Sequence, residues 1–477
     1  MLFNLAAELL AIKIRKTITI HGIEISNVEV KMSQYADDLT LFLKDEESLT
    51  TVFEIFEEFG NVSGLRVNES KTKLMWLGAN KMHERTVQNI EAVSKIKILG
   101  VWFSATKQCD DINIDPVIEK VKNTTNSWSQ RSLTIKGRTV ITKSLLISQL
   151  VFIALVQKIP NADLKQIESL VMRFMWRGRP PKVARVTLCQ QTIDGGLNAI
   201  DIAHMYKALK LTWITRMINK PEATWCQLLQ ARIGGLQLRD LLRCDRAKTY
   251  VDKLKIPSFY KDTIIDFQKM MHAPVDSALK ARKQLLWYND EIKRDGKPFC
   301  IKQMYSEGIR FIDDIVGHNG HILNLEQLRA IYPQITTSLL RYQGLVCAIP
   351  ASWKNAIRRR PNESMNMDDK NAFKIRIGQA AIEMTSVKCR DFYAELIDKR
   401  VPTAQTKWVE EGYTGIAWTS VYEIPYKCCA STKLQSLQFR VLNRYIPTRK
   451  FLCTRNVVGS PLCLTCFEID TLQHFCL

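Results

Sequence analysis

The chain has 477 residues, 46% hydrophobic and 24% charged. These proportions exclude a disordered polypeptide and leave room for two to four domains of roughly 100–200 residues. The 68 Lys and Arg against 48 Asp and Glu give a formal charge of +20, which suits a polyanionic partner, the alternative being a solvated basic surface. Thirteen cysteines without a secretory signal point to reduced thiols in the cytoplasm or nucleus.

In chain order, residues 1–12 are apolar but lack a basic start and contain Glu8, so they read as an amphipathic helix rather than a signal peptide. Residues 23–32 alternate apolar and polar side chains as a half-buried strand does. Residues 31–43 then set a four-residue turn, Tyr35-Ala36-Asp37-Asp38, between two apolar arms. Adjacent carboxylates repel each other at the tip of an apolar hairpin. They are either a plain solvated turn or ligands of a hard divalent cation, which takes carboxylate oxygens. Residues 47–62 carry Leu49, Val52, Phe53, Ile55, Phe56, Phe59 and Val62 at helical spacing, with Glu47, Glu54, Glu57 and Glu58 opposite. Residues 63–75 and 97–103 read as strands, and Gly64 reads as the helix C-cap. Glu24 and Glu29 fall on a neighbouring hairpin.

Asp115 and Pro116 are expected to open a helix as N-cap and first helical residue. Helical periodicity continues to about residue 215. Residues 131–187 hold eleven Lys and Arg against Asp163 and Glu168, a net +9 in 57 residues, as a surface gripping phosphates requires. Lys136, Arg138, Arg177, Arg179 and Lys182 are the expected phosphate contacts, and residues 177–182 the exposed basic loop, since their prolines break a helix. Trp128, Phe174 and Trp176 read as core rather than base-stacking rings. The longest apolar run, residues 144–156, is too short to span a bilayer. Further helical patterns cover 206–217, 326–332, 372–383 and 390–398. Asp313-Asp314 lacks a strand–turn–strand frame and reads as structural. Residues 362–370 are polar and read as a linker. Cys109, Cys189, Cys226, Cys244, Cys300, Cys347 and Cys389 are scattered, as buried small apolar residues are. At the end, Cys463-Leu-Thr-Cys466 is followed by His474 and Cys476, a spacing that can grip one Zn²⁺. The redox reading of such a pair lacks a βαβ context.

The order strand, Asp-Asp turn, strand, helix, strand, Leu-Gly strand, with Tyr35-Ala-Asp-Asp38, Ser63-Gly-Leu65, Asn68, Lys71, Thr72 and Leu99-Gly100, resembles the palm of a non-LTR (LINE-type) retrotransposon reverse transcriptase. The resemblance continues through Trp128, Leu133, Lys136-Gly137-Arg138, Phe174-Met-Trp-Arg-Gly178 and Gly195-Gly-Leu197, which occur in the thumb-like region after that palm. Residues 285–289 and 308–314 resemble the connector. Arg444-Tyr-Ile-Pro-Thr448, Leu452 and the Cys-Cys-His order resemble the carboxy-terminal zinc knuckle.

The resemblance implies an α+β fold. A partial palm would span 1–105, a basic helical thumb 106–220, a helical connector 221–361, a helical carboxy-terminal region 362–449 and a Cys/His segment 450–477. It implies an RNA-directed DNA polymerase fragment acting with Mg²⁺ or Mn²⁺ on an RNA template and a DNA primer, in cytoplasm and nucleus and with no membrane. Asp37 would bind metal, Asp38 would assist, Tyr35 would shape the nucleotide pocket, and Lys71 would lie near the nucleotide phosphates, unless it is a surface lysine on a strand edge. In the family, a strand with another metal-binding aspartate and the fingers precede the segment found here. The expectation is therefore an amino-terminally truncated copy, inactive alone unless joined by the missing part. The alternative is a non-catalytic nucleic-acid-binding remnant. A zinc-dependent adaptor is a third reading. For zinc, Cys463, Cys466 and His474 would be joined by Cys476, by Cys453 or by a residue beyond the end, because the family's last cysteine lies five residues after the histidine.

Overall fold

Asp45 closes the carbonyl-free end of the first well-capped helix: its carboxylate accepts the Ser48 N–H at 2.7 Å, satisfying one of the donors a helix start leaves open. The structure is a computed structural model. It describes all residues except 1, 26, 81–85, 106–109, 367–369, 371, 398–399 and 477, and not the side chains of 2, 80, 110, 475 and 476. The fold is α+β, dominated by helices, and among the described residues the sheets are five two-stranded antiparallel ladders. The chain divides into two compact units, each assembled from two separate stretches: Met1–Cys109 with Lys210–Phe392, and Asp110–Leu209 with Tyr393–Leu477. The linear division expected from the sequence differs from this. The expected boundaries lie at 105/106 and 220/221, and the carboxy-terminal segment shares a unit with the basic helical region instead of standing apart.

In the first unit, helices α1 (Leu2–Lys16) and α2 (Glu46–Ser63) pack together. Ile14, Ile20, Val52 and Ile55 are buried between them, with Leu10, Phe56 and the hairpin residues Met32, Leu39, Leu41 and Leu43 packed on top. The expected strand over 23–32 is instead a tight hairpin of β1 (Ile23–Ile25) and β2 (Val28–Val30), because Asn27 takes a left-handed φ of 69° that asparagine tolerates. Gly22 has no room for a Cβ, which would stand 2.6 Å from the Val30 carbonyl oxygen. The Asp-Asp hairpin follows as β3 (Met32–Tyr35) and β4 (Asp38–Leu41). Gly64 closes α2 as expected, at φ 75° with its N–H on the Gly60 carbonyl.

Residues 63–75 are not a strand. Asn68 makes a turn there, its carbonyl accepting the N–H groups of Lys71 and Thr72 at 3.1 and 3.0 Å. The expected Leu-Gly strand is a hairpin of β5 (Lys95–Ile98) and β6 (Val101–Ser104), with Leu99 and Gly100 at its turn at φ 46° and 87°. The expected helix over 372–383 is also a hairpin, Lys374–Ile377 with Ala380–Glu383. The Ile375 and Ile377 alternation and a left-handed Gly378 override the helical pattern. Asp313-Asp314 is structural, as expected. Asp313 pairs with buried Arg282 at 2.9 Å and with Lys370 at 3.0 Å, and Asp314 accepts the N–H groups of Arg310 and Phe311 at 2.8 Å each. Within the expected linker 362–370, Lys370 also reaches Asp314 at 2.7 Å and Met365 is buried, so these two residues are anchored rather than solvated, while 367–369 lie outside the described residues. The motif residue Trp287 is fully buried and donates to the Ile309 carbonyl at 2.7 Å.

The second unit is built on three helices: α3 (Asp110–Ser129), α4 (residues 135–156) and α5 (Asn161–Met175). α3 starts before Pro116, which lies inside it rather than at its first turn. α4 is capped by Thr134 and contains a π-helical stretch, Thr142–Ile147. It is 22 residues long and, by length and composition alone, long and apolar enough to cross a membrane, because it extends back past the apolar run through Ile135. One face of it is nonetheless core: Leu146, Leu150, Ile153 and Ala154 are buried with Val121 of α3 and Ile167, Val171 and Phe174 of α5. Phe174 and Trp176 are core as expected, while Trp128 is half-buried under the Arg131 guanidinium at 4.5 Å.

Candidate functional site

The alternation of β3 and β4 explains how the carboxylates are presented. Met32, Leu39 and Leu41 turn toward the α1–α2 core, so Tyr35 and Asp38, the last pair of the ladder, turn the other way. Tyr35, Asp37 and Asp38 are all exposed. Ala36 and Asp37 are the two central residues of the four-residue turn closed by the Tyr35–Asp38 pair, and Ala36 sits at φ 53°. That left-handed conformation costs an alanine roughly 1–2 kcal/mol. Gln34 steadies the turn by donating to the Ala36 carbonyl at 3.2 Å. Lys71 is exposed on the Asn68 turn, not on a strand edge. Glu24 faces Glu29 across β1–β2, and Glu29 is taken up by the Gly22 N–H at 2.7 Å.

The second group is at the carboxy-terminal end. Cys463, Cys466 and His474 bring their ligand atoms within 4.8 Å of one another. The Cys466 Sγ lies 3.2 Å from His474 Nε2. Tetrahedral Zn²⁺ with ligands at 2.0–2.3 Å places them ~3–4 Å apart, so the donor set fits. The N–H groups of Cys466 and Thr465, then His474, hold the Cys463 thiol down at about 6, and that contact raises the His474 imidazole above its ordinary value. Cys453 does not join the group. The side chain of Cys476 lies outside the described residues. The turn is tied down by Asp470, whose carboxylate accepts the Arg449 N–H at 2.7 Å, and by Glu411, which binds Arg444 at 2.7 Å and Gln473 at 2.8 Å.

Among the expected phosphate contacts, Arg177, Arg179 and Lys182 are exposed on one loop. Arg177 Nη2 donates to the Leu133 carbonyl at 2.6 Å. Arg138 is a correction. It is only 2% exposed and donates to the carbonyls of Phe174 and Leu133, and burial lowers its pKa. It is a core brace between α4 and α5, not a surface contact. Lys136 is half-buried, with its ammonium 2.6 Å from Gln435 Oε1 and 4.2 Å from the Tyr426 ring centre.

Residues 1–103 match the family described as reverse transcriptase (RNA-dependent DNA polymerase). This stretch is a reverse transcriptase segment. Over 274 residues the chain is 26% identical to the Transposon TX1 uncharacterized 149 kDa protein of Xenopus laevis, covering 55% of this chain and 21% of that protein. Over 131 residues it is 25% identical to a putative ribonuclease H protein of Arabidopsis thaliana, covering 26% of this chain and 21% of that one. The chain thus spans about a fifth of the length of these curated relatives. The matched family generally uses Mg²⁺ and binds a nucleic-acid template and primer.

Outside the matched stretch, several partners of the motif residues were not singled out from the sequence, namely Trp408, Glu411, Tyr426 and Gln435. Glu411 and Trp408 hold Arg444, with the guanidinium 4.5 Å from the Trp408 ring centre. Tyr445 packs edge-on against Trp176 at 6.0 Å. Tyr426 and Gln435 reach Lys136 from nearly three hundred residues away in sequence, a pairing no local spacing signals.

Proposed function

We propose that this chain is part of a retrotransposon's RNA-directed DNA polymerase and that Asp37 and Asp38 hold the catalytic Mg²⁺ or Mn²⁺ during deoxynucleotide addition to a DNA primer on an RNA template. The observation carrying this is the Asp37-Asp38 tip: both carboxylates are exposed on a hairpin whose opposite face is fastened to the α1–α2 core. Bound metal would neutralise the phosphate charge that develops during transfer. The chain's residues supply position. The hairpin fixes the carboxylates, Tyr35 borders them through the same ladder pair, and Lys71 offers an exposed ammonium for nucleotide phosphates. Exposed Arg177, Arg179 and Lys182 suit contact with a template–primer backbone. Cys463, Cys466 and His474 suit Zn²⁺, with a fourth ligand from Cys476 or elsewhere.

Among the described residues, no third Asp, Glu, His or Cys joins Asp37 and Asp38 in a metal-holding group, and a two-metal site needs more carboxylate than this pair. The chain alone is therefore expected to bind template–primer without extending it, and to extend only when another part of the element's protein completes the site. Cytoplasm and nucleus are the proposed compartments. The test is primer extension on an RNA template with Mg²⁺ or Mn²⁺, beside an Asp37→Asn, Asp38→Asn variant and a filter-binding assay. Binding without extension supports the reading. Extension that persists in the double variant would remove Asp37 and Asp38 from the metal site.

A further inference from the structure

The second unit contains a cleft of about 190 Å³ lined by Lys136, Thr139, Lys143, Thr192, Asn198 and Tyr426, among others. Its chemistry is one-sided. No carboxylate is among the residues lining it. Lys136 spends one of its three N–H donors on Gln435 and lies over the Tyr426 ring. Lys143 is half-buried and, among the described residues, has neither a hydrogen-bond nor an ion-pair partner. Thr192 accepts from the Asn198 amide at 3.1 Å, leaving its own hydroxyl hydrogen free to donate. Burial lowers the pKa of both lysines, as expected of ammonium groups partly withdrawn from water, and at Lys143 the neighbouring Cys189 offsets part of that effect. Two desolvated cations in one recess are costly unless an anion joins them.

The backbone adds an independent sign. Lys143 is carried on the π-helical stretch Thr142–Ile147. Such stretches are rare within helices and recur at functional sites. The size of the recess selects among anions. It is smaller than the roughly 300–1,000 Å³ of sites that enclose a drug-sized ligand, so it admits a phosphate group rather than a whole nucleotide.

We infer that the Lys136–Lys143–Tyr426 cleft binds a single phosphate group, belonging to a nucleic-acid strand that the chain holds. The identity of the strand rests on the polymerase reading above; the phosphate site itself does not. The two ammonium groups and the Thr192 hydroxyl donate to the phosphate oxygens, and the Tyr426 ring forms the wall on which Lys136 is held.

The test uses the full chain. Lysines are acylated and quantified by mass spectrometry alone, with millimolar inorganic phosphate, and with excess single-stranded oligonucleotide. In parallel, oligonucleotide binding is followed by fluorescence anisotropy over a salt series for the parent chain and for Lys143→Met, with a Lys165→Met variant at an exposed position of α5 as control and circular dichroism to verify folding. We expect phosphate and oligonucleotide each to protect Lys143 several-fold. Lys143→Met should weaken binding about three- to tenfold and flatten the salt slope by about one unit, while Lys165→Met changes it less. Protection by phosphate without oligonucleotide binding would support the phosphate site and overturn its assignment to a strand, together with the nucleic-acid reading. Tight oligonucleotide binding with Lys143 unprotected by either anion would overturn the cleft proposal and leave that reading standing.

Discussion

Single side chains here divide by what surrounds them rather than by type. Cys463 and Cys189 are both thiols. The first is held down to about 6 by two backbone N–H groups and His474, and the second is pushed up to about 12, mostly by burial. The thiolate is the reactive form, so the sign is clear. Iodoacetamide should alkylate Cys463 near its maximal rate at pH 7, at about half that rate near pH 6, and not at all once Zn²⁺ is bound, while Cys189 stays unmodified in the native chain at pH 8. Peptide mapping checks all four statements. A Cys463 rate that still rises steeply above pH 8 would contradict the hydrogen bonding described. Arginines divide in the same way. Arg177 is exposed and Arg138 is buried, although both stand in basic runs beside a glycine. Sequence shows a charge but not the carbonyls of Leu133 and Phe174 that enclose it.

At the scale of elements, the Gly195-Gly196 part of the resemblance is a packing requirement. Gly195 lies at φ 84°, and a Cβ on it would stand 2.7 Å from the Tyr422 ring; on Gly196 it would stand 2.0 Å from the Gln190 carbonyl oxygen. Gly178, in the same unit, also has positive φ but nothing within 4 Å. Gly196→Ala should therefore cost about 1–3 kcal/mol through forced displacement. Gly178→Ala should cost only the roughly 1 kcal/mol of its backbone conformation. Urea unfolding midpoints distinguish them, and equal losses would argue against the close approach at Gly196. Elements with strong local signals matched the sequence reading: α2 with its apolar stripe and Gly64 terminus, and the β3–β4 hairpin with its alternation. The misses were short. Residues 97–103 and 372–383 became hairpins, and 63–75 became a turn-containing loop. In each, one left-handed residue or one long-range pairing outweighs a few residues of periodicity.

For the whole molecule, charge is the property that sequence composition predicts and the fold distributes. With +20 overall and Arg177, Arg179 and Lys182 exposed together, nucleic-acid binding should weaken steeply with salt. Replacing these three by Gln should flatten the slope of log affinity against log salt by about two to three units. Filter binding across a salt series measures it, and an unchanged slope would remove the loop from the interface.

The sequence by itself determined the local features: the Asp-Asp hairpin, the amphipathic helices, the basic region and the Cys-x-x-Cys turn, together with the reverse transcriptase resemblance they support. These follow from periodicity, capping and turn chemistry, which act over a few residues. Only the tertiary structure decided that residues 110–209 and 393–477 form one unit, that Tyr426 and Gln435 meet Lys136, that Arg138 is a brace, and that Lys143 lacks a counter-charge. Those outcomes depend on which distant surfaces bury one another, and burial sets whether a charge is solvated, paired or left waiting for an anion.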